Sequence, residues 1–197
     1  MITQKGMSHK MLHITRQCMD CPVIIYDNNR NFITETVVTG YGRDEMYLEV
    51  MEGLDNIIIG TRLRLLVIHA NAVSEFSGKL TGRRQGICEI SIHGQQKRDS
   101  RGSPRFKFNI PAIINNFVVD SEVVKLNSPI RVTIQNISST GLMIESKELP
   151  LAEGTVLNVE FKLHGRDTII LCKVVREPSQ GFSPDSFGCQ IVFPKKK

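Results

Sequence analysis

Hydrophobic and polar positions alternate with a period of two along most of this chain. The alternation is clear in Met46–Val50, in Thr61–Ile68 (TRLRLLVI), in Ile130–Gln135 (IRVTIQ) and in Thr155–Leu163 (TVLNVEFKL). Each run is short, rich in β-branched residues and bounded by Gly, Asn, Asp or Pro, which is the pattern of half-buried strands. Apolar residues at every third or fourth position, the helical signature, are confined to a turn or two within Met7–Cys18. The expectation is an all-β protein. Gln95–Pro104 (QQKRDSRGSP) combines Gly, Pro and dense charge with no apolar side chain, so it cannot be a core strand and reads as a linker. It splits the 197 residues into similar halves. The predicted architecture is therefore two small β-barrels joined by a basic linker, one over residues 1–96 and the second over 97–197.

The halves also suggest an internal repeat. With no gap, one shift lays Tyr47–Val50 over Gly141–Ile144, Gly60–Leu63 over Gly154–Leu157, and Lys79-Leu80 over Lys173-Val174. A somewhat larger shift lays Cys88-Glu89-Ile90 over Cys189-Gln190-Ile191, the extra length being the loop around Pro178–Asp185.

Composition adds exclusions. An apolar content of 41% with 15 Gly and 8 Pro rules out disorder throughout. No run reaches the roughly 18 apolar residues of a membrane helix, and MITQKGMSHK lacks a secretory core, so a cytosolic protein without a membrane span is expected. The net charge of +5 is unevenly placed. Residues 1–96 have ten basic and ten acidic side chains. Lys97–Lys107 has five basic residues against Asp99, a net of +4, residues 108–194 have seven basic and nine acidic, and Lys195–Lys197 add +3. A body that is slightly acidic with one basic segment suits a small anion better than a nucleic-acid polymer. Only 6% of residues are aromatic and there is no Trp, which disfavours an RNA-binding barrel.

Catalytic and metal chemistry lack a constellation. There is no GxSxG, HExxH, GxxxxGKS or paired-carboxylate motif, so no enzyme is expected. Gly78–Gly86 (GKLTGRRQG) lacks the order of a phosphate loop and reads as a hairpin turn. Cys18 and Cys21 form a lone CxxC without the second half of a zinc site, and the odd count of five Cys reads mostly as small buried hydrophobes. His9, His13, His69, His93 and His164 are scattered, and neither a metal nor a cofactor is expected.

Two patches in the second half bracket the same strand: Arg101–Arg105 (RGSPR, an RxxxR) opens the domain and Asn136–Gly141 (NISSTG, an NxSxxG) comes one hairpin later. They are followed by TGLMIES, an EGT turn and a closing FGCQIVF strand. In this order the pair resembles the PilZ family of cyclic di-GMP receptors over roughly Lys97–Phe193. The resemblance implies a PilZ-type second barrel whose ligand, cyclic di-GMP, is gripped by Arg101, Arg105, Asn136, Ser138 and Gly141, with Arg98 as an additional contact, often as an intercalated pair of molecules. The chemistry is consistent with that. A guanidinium is a planar fork that matches a phosphate or the O6/N7 edge of guanine and can stack on a purine. Asn136 can bond a base edge, Ser138 can donate to a phosphate or base, and Gly141 leaves room for close approach.

The first half resembles, less specifically, the amino-terminal barrel of flagellar-brake members. Its counterpart of the ligand turn, Gly42–Tyr47, lacks the motif, so it is expected not to bind. Many relatives continue into a helix where this sequence stops at Phe193-Pro194 and three lysines; here the barrel end is expected to be covered by the first domain or by a partner. The implied function is a receptor in which ligand orders Lys97–Lys107 and changes the inter-domain arrangement, regulating flagellar motility through a partner such as the motor. An adaptor for exopolysaccharide or envelope processes is the alternative.

Overall fold

β-Branched side chains on alternate positions make each predicted segment a strand with one buried face. The computed structural model describes residues 18–69, 72–95, 105–119, 122–147, 151–176 and 185–192. Among them the first half forms β1 (Pro22–Tyr26), β2 (Phe32–Tyr41), β3 (Glu45–Glu49), β4 (Arg62–His69), β5 (Ala72–Arg84) and β6 (Ile87–Gln95). The second half forms β7 (Phe106–Val119), β8 (Glu122–Ile137), β9 (Gly141–Glu145), β10 (Val156–Leu163), β11 (Arg166–Arg176) and β12 (Ser186–Ile191). The possible turn of helix within Met7–Cys18 and the Gln95–Pro104 linker fall almost wholly outside the described residues. No described helix is long and apolar enough to cross a membrane.

Each half closes into an antiparallel barrel, and each is a compact unit of its own. Closure pairs the outer strands that an open sheet would leave as edges. The first barrel encloses Val23, Ile25, Leu48, Leu65, Phe76 and Ile90, and the second encloses Phe106, Ile114, Ile144, Leu157, Cys172 and Val174, all with no exposed surface. Each such Leu, Ile, Val or Phe contributes roughly 1.5–3 kcal/mol by leaving water.

The circuits are the same. The first barrel runs β1-β2-β3-β6-β5-β4 and the second β7-β8-β9-β12-β11-β10, read from the equivalent strand. Backbone bonds repeat as well. Gly60 N–H donates to the Leu80 carbonyl at 2.7 Å and Leu80 N–H to Thr61 at 3.0 Å; Gly154 donates to Val174 and Val174 to Thr155, both at 2.8 Å. These pairs have the spacing expected from the sequence.

Two parts of the expected alignment slide. Gly42 N–H donates to the Glu45 carbonyl as Ser138 N–H does to Gly141, which lays Met46, not Leu48, over Leu142. Leu80 faces Ile90 as Val174 faces Cys189, so Ile90, not Cys88, is the counterpart of Cys189. Both corrections are two residues long. A slip of two keeps every side chain on its own face, so hydrophobic alternation cannot detect it.

Gly78–Gly86 also departs from expectation. β5 continues to Arg84, leaving only Gln85-Gly86 as the turn, with φ of 47° and 80°. Its glycines serve the ladder: a Cβ on Gly78 would lie 2.5 Å from Ile90 Cγ2 and 3.0 Å from the Ser91 carbonyl. Register shifts occur beside both Gly78 and Gly82, the usual place of a glycine at a bulge.

Candidate functional site

The start of β7 and the end of β8 are locked by a buried pair. Phe106 faces Ile137, and both are essentially without exposed surface. One position outward, Lys107 faces Asn136. Arg105 is exposed immediately before Phe106, so the register sets the last arginine of the RxxxR beside the first residue of the Ser138–Gly141 turn. Arg98 and Arg101 lie outside the described residues.

The turn is built by Ser138 itself, which is 4% exposed. Its Oγ donates to the Gly141 carbonyl at 3.1 Å and accepts Gly141 N–H at 3.2 Å, while its own N–H donates to that carbonyl at 2.8 Å. The hydroxyl expected to face a ligand is thus engaged in shaping the turn. A Cβ on Gly141 would run into the Cys189 carbonyl oxygen of β12.

Asn136 is half-buried, and a bulge at Gln135 precedes it. Gln135 Nε2 donates to Glu145 Oε2 at 2.7 Å and its Oε1 accepts from Ser186 Oγ at 3.2 Å. Those bonds hold the bulge across β8, β9 and β12 and so fix how β8 presents Asn136. The first barrel has the same bulge between Val38 and Gly40, which makes it a property of the fold.

Beyond the two motifs, the register aligns a row of residues that no local pattern reveals. Lys107, Asn136, Met143, Gly188 and Arg176 face one another in turn across β7, β8, β9, β12 and β11. Lys107 and Arg176 are exposed, and the three between them are partly exposed. The strand neighbours Phe106, Ile137, Leu142, Phe187 and Cys189 are buried and Arg176 is itself exposed, so the row lies on the outer face.

In the first barrel the corresponding row is Gly40, Tyr47, Glu89 and Gly82. The counterpart of the ligand turn is therefore Gly40–Glu45, two residues earlier than expected, and it too lacks the motif. Glu45 stands where the second barrel has Gly141. Tyr47 donates to Glu45 Oε2 at 2.7 Å, and that bond to a carboxylate raises the pKa of the hydroxyl. Glu45 and Glu89 thus stand where the second barrel has Gly141 and Gly188.

Elsewhere, Cys18 is fully buried in the first core, with its thiol pushed up to about 12 by burial first and by Cys21 second. Cys21 is half-buried against the same cluster. Among the described residues no three His, Cys, Asp or Glu side chains are placed to hold a metal ion. A concavity of about 1030 Å³ on the second barrel is lined by residues including Pro111, Ile113, Arg131 and Ile169. It contains none of Arg105, Asn136, Ser138 or Gly141.

The model of the PilZ domain family matches residues 99–196. Among solved structures, the chain is similar to the K. pneumonia MrkH–c-di-GMP complex, with 18% identity over 97% of this chain and 86% of that one and a TM-score of 0.38. It is similar to Escherichia coli YcgR in complex with c-di-GMP, with 14% identity, coverage of 98% and 87%, and a TM-score of 0.40. A third is the Bacillus subtilis inhibitor of motility MotI/DgrA, with 11% identity, coverage of 89% and 88%, and a TM-score of 0.36. No curated protein matches the sequence.

Proposed function

Because residues 99–196 of this chain are a PilZ domain, we propose that the protein is a receptor for cyclic di-GMP whose role is binding and not catalysis. The observation that supports this reading is the pairing of Phe106 with Ile137, which brings Arg105 next to the start of the Ser138–Gly141 turn. In this proposal Arg101 and Arg105 grip the phosphates or guanine edges, with Arg98 as an added contact, and Asn136 bonds a base edge. Ser138 and Gly141 hold the turn at the height the ligand needs. Guanidinium bonds to an anion are charge-assisted and are stronger than neutral ones, which offsets the entropy of ordering the segment.

The segment that carries the arginines joins β6 to β7. A ligand that takes contacts from it and from β7–β9 together biases the arrangement of the two barrels, by as much as it binds one arrangement better. The first barrel, with Glu45 and Glu89 on the equivalent face, acts as the output surface and not as a second site. Regulation of flagellar motility through a protein partner such as the motor is the output we assign, on the order of the two barrels. The ligand claim is tested by calorimetric titration of the purified chain with cyclic di-GMP and, as control, GMP; saturable heat with the first alone is expected. The output claim is tested by swimming assays on cells with and without the gene at raised cyclic di-GMP, where equal swimming would overturn it.

A further inference from the structure

The outer-face row opposite Asn136 has a cation at each end and little bulk between. Lys107 is at one end and Arg176 at the other, with Asn136, Met143 and Gly188 between them. Four strand steps at about 4.8 Å make the path along the row roughly 19 Å around the curved wall of the closed barrel. At its far end the Arg176 side chain lies over Gly188: a Cβ built on Gly188 would be 3.4 Å from Arg176 Cβ, 3.5 Å from Nε and 3.8 Å from Nη2. A bulge between Val174 and Arg176 turns the arginine onto this face. The first barrel supplies an internal comparison, for its equivalents of Gly188 and Arg176 are Glu89 and Gly82, an anion and no cation.

We infer that Arg176 is a specificity-determining residue of the second barrel, its guanidinium, lying over Gly188, reading the O6/N7 edge of a guanine that rests on the neighbouring Met143. The inference rests on the receptor reading above. Guanine offers two acceptors on that edge and adenine an acceptor beside a donor, so a fork of N–H donors favours the first. Gly188, without a side chain, leaves the guanidinium room to lie against the sheet. A lysine at 176 keeps the charge and loses the fork.

The test is calorimetric titration of the full chain and its Arg176→Ala, Arg176→Lys, Gly188→Ala and Arg105→Ala variants with cyclic di-GMP and cyclic di-AMP, each variant first checked by thermal melting. Arg176→Ala is expected to weaken cyclic di-GMP binding by roughly 5- to 150-fold and to narrow the preference over cyclic di-AMP. Arg176→Lys should behave alike, and Gly188→Ala should weaken binding less, by moving the guanidinium. Unchanged cyclic di-GMP affinity in Arg176→Ala, with Arg105→Ala impaired, would overturn the inference and leave the receptor reading standing. Full rescue by lysine would overturn the base-reading role. Absence of binding by the unsubstituted chain would overturn both readings.

Discussion

Phe106 and Ile137 face each other across the β7–β8 ladder with essentially no exposed surface, and this apolar pair brings Arg105 next to Ser138. Arg105 precedes the first residue and Ser138 follows the second, so each motif is anchored by a core side chain next to it. In the proposed site, both residues are thus positioned by the barrel's hydrophobic interior, while their polar groups lie outside it.

Gly141→Ala should destabilise the second barrel. The added Cβ meets the Cys189 carbonyl, a backbone atom that cannot swing aside, so β9 or β12 must shift. A loss of about 1–3 kcal/mol is expected from overpacking of this kind, read as a lower urea midpoint. An unchanged midpoint would show that the strands separate freely there.

Ser138→Ala removes a hydroxyl that serves both polar groups of Gly141. About 1 kcal/mol of stability should be lost. Ligand affinity should fall as well, because the turn that carries Asn136 loses its inner brace. Threonine keeps the hydroxyl and should restore most of both, whereas equal losses in Ser138→Thr would argue against the bracing role.

In the first barrel, Arg64 Nη1 lies 2.9 Å from Glu75 Oε1, a carboxylate only 3% exposed. Burial raises the Glu75 pKa first, and the bond and charge of Arg64 lower it. Arg64→Ala takes the guanidinium away from that buried carboxylate and should cost about 3 kcal/mol at neutral pH. A raised folded pKa means that the folded state binds more protons, so the contribution is most favourable below the ordinary glutamate value of 4.5 and is lost as pH rises through the folded value. The gap between variant and wild type should accordingly narrow on acidification. A gap independent of pH would contradict this.

His69 has the opposite sign. Burial holds its pKa below 6.5, and its Nε2 is 2.9 Å from Ser74 Oγ. The unfolded chain takes up the proton first, so stability should fall as pH drops below about 6.5 and continue to fall until the folded value is passed. Urea midpoints at neutral and mildly acidic pH should differ less in His69→Gln than in the wild type.

The strands were legible because a closed barrel gives each one a wet and a dry face, as in the alternation of Thr155–Leu163 over β10. Arg105, Asn136, Ser138 and Gly141 were legible as motifs because each lies in a short local segment. What stayed hidden is inter-strand register. Arg176 lies far along the chain from Asn136 and meets its row only through Gly188 and Met143. The repeat was visible but set two residues off in β3 and β6, since a pleated strand looks the same after two steps. Gly78 and Gly82 imitated a turn, because crowding within a ladder and a turn call for the same residue.

Titration of cyclic di-GMP into the wild-type chain and into Arg101→Ala and Arg105→Ala tests the central claim most directly. The account predicts saturable binding by the wild type and at least about tenfold weaker binding in each variant, a loss of about 1.4 kcal/mol or more, with melting temperatures unchanged because Arg105 is exposed. Wild-type affinity in both variants, or no binding by the wild type, would contradict it.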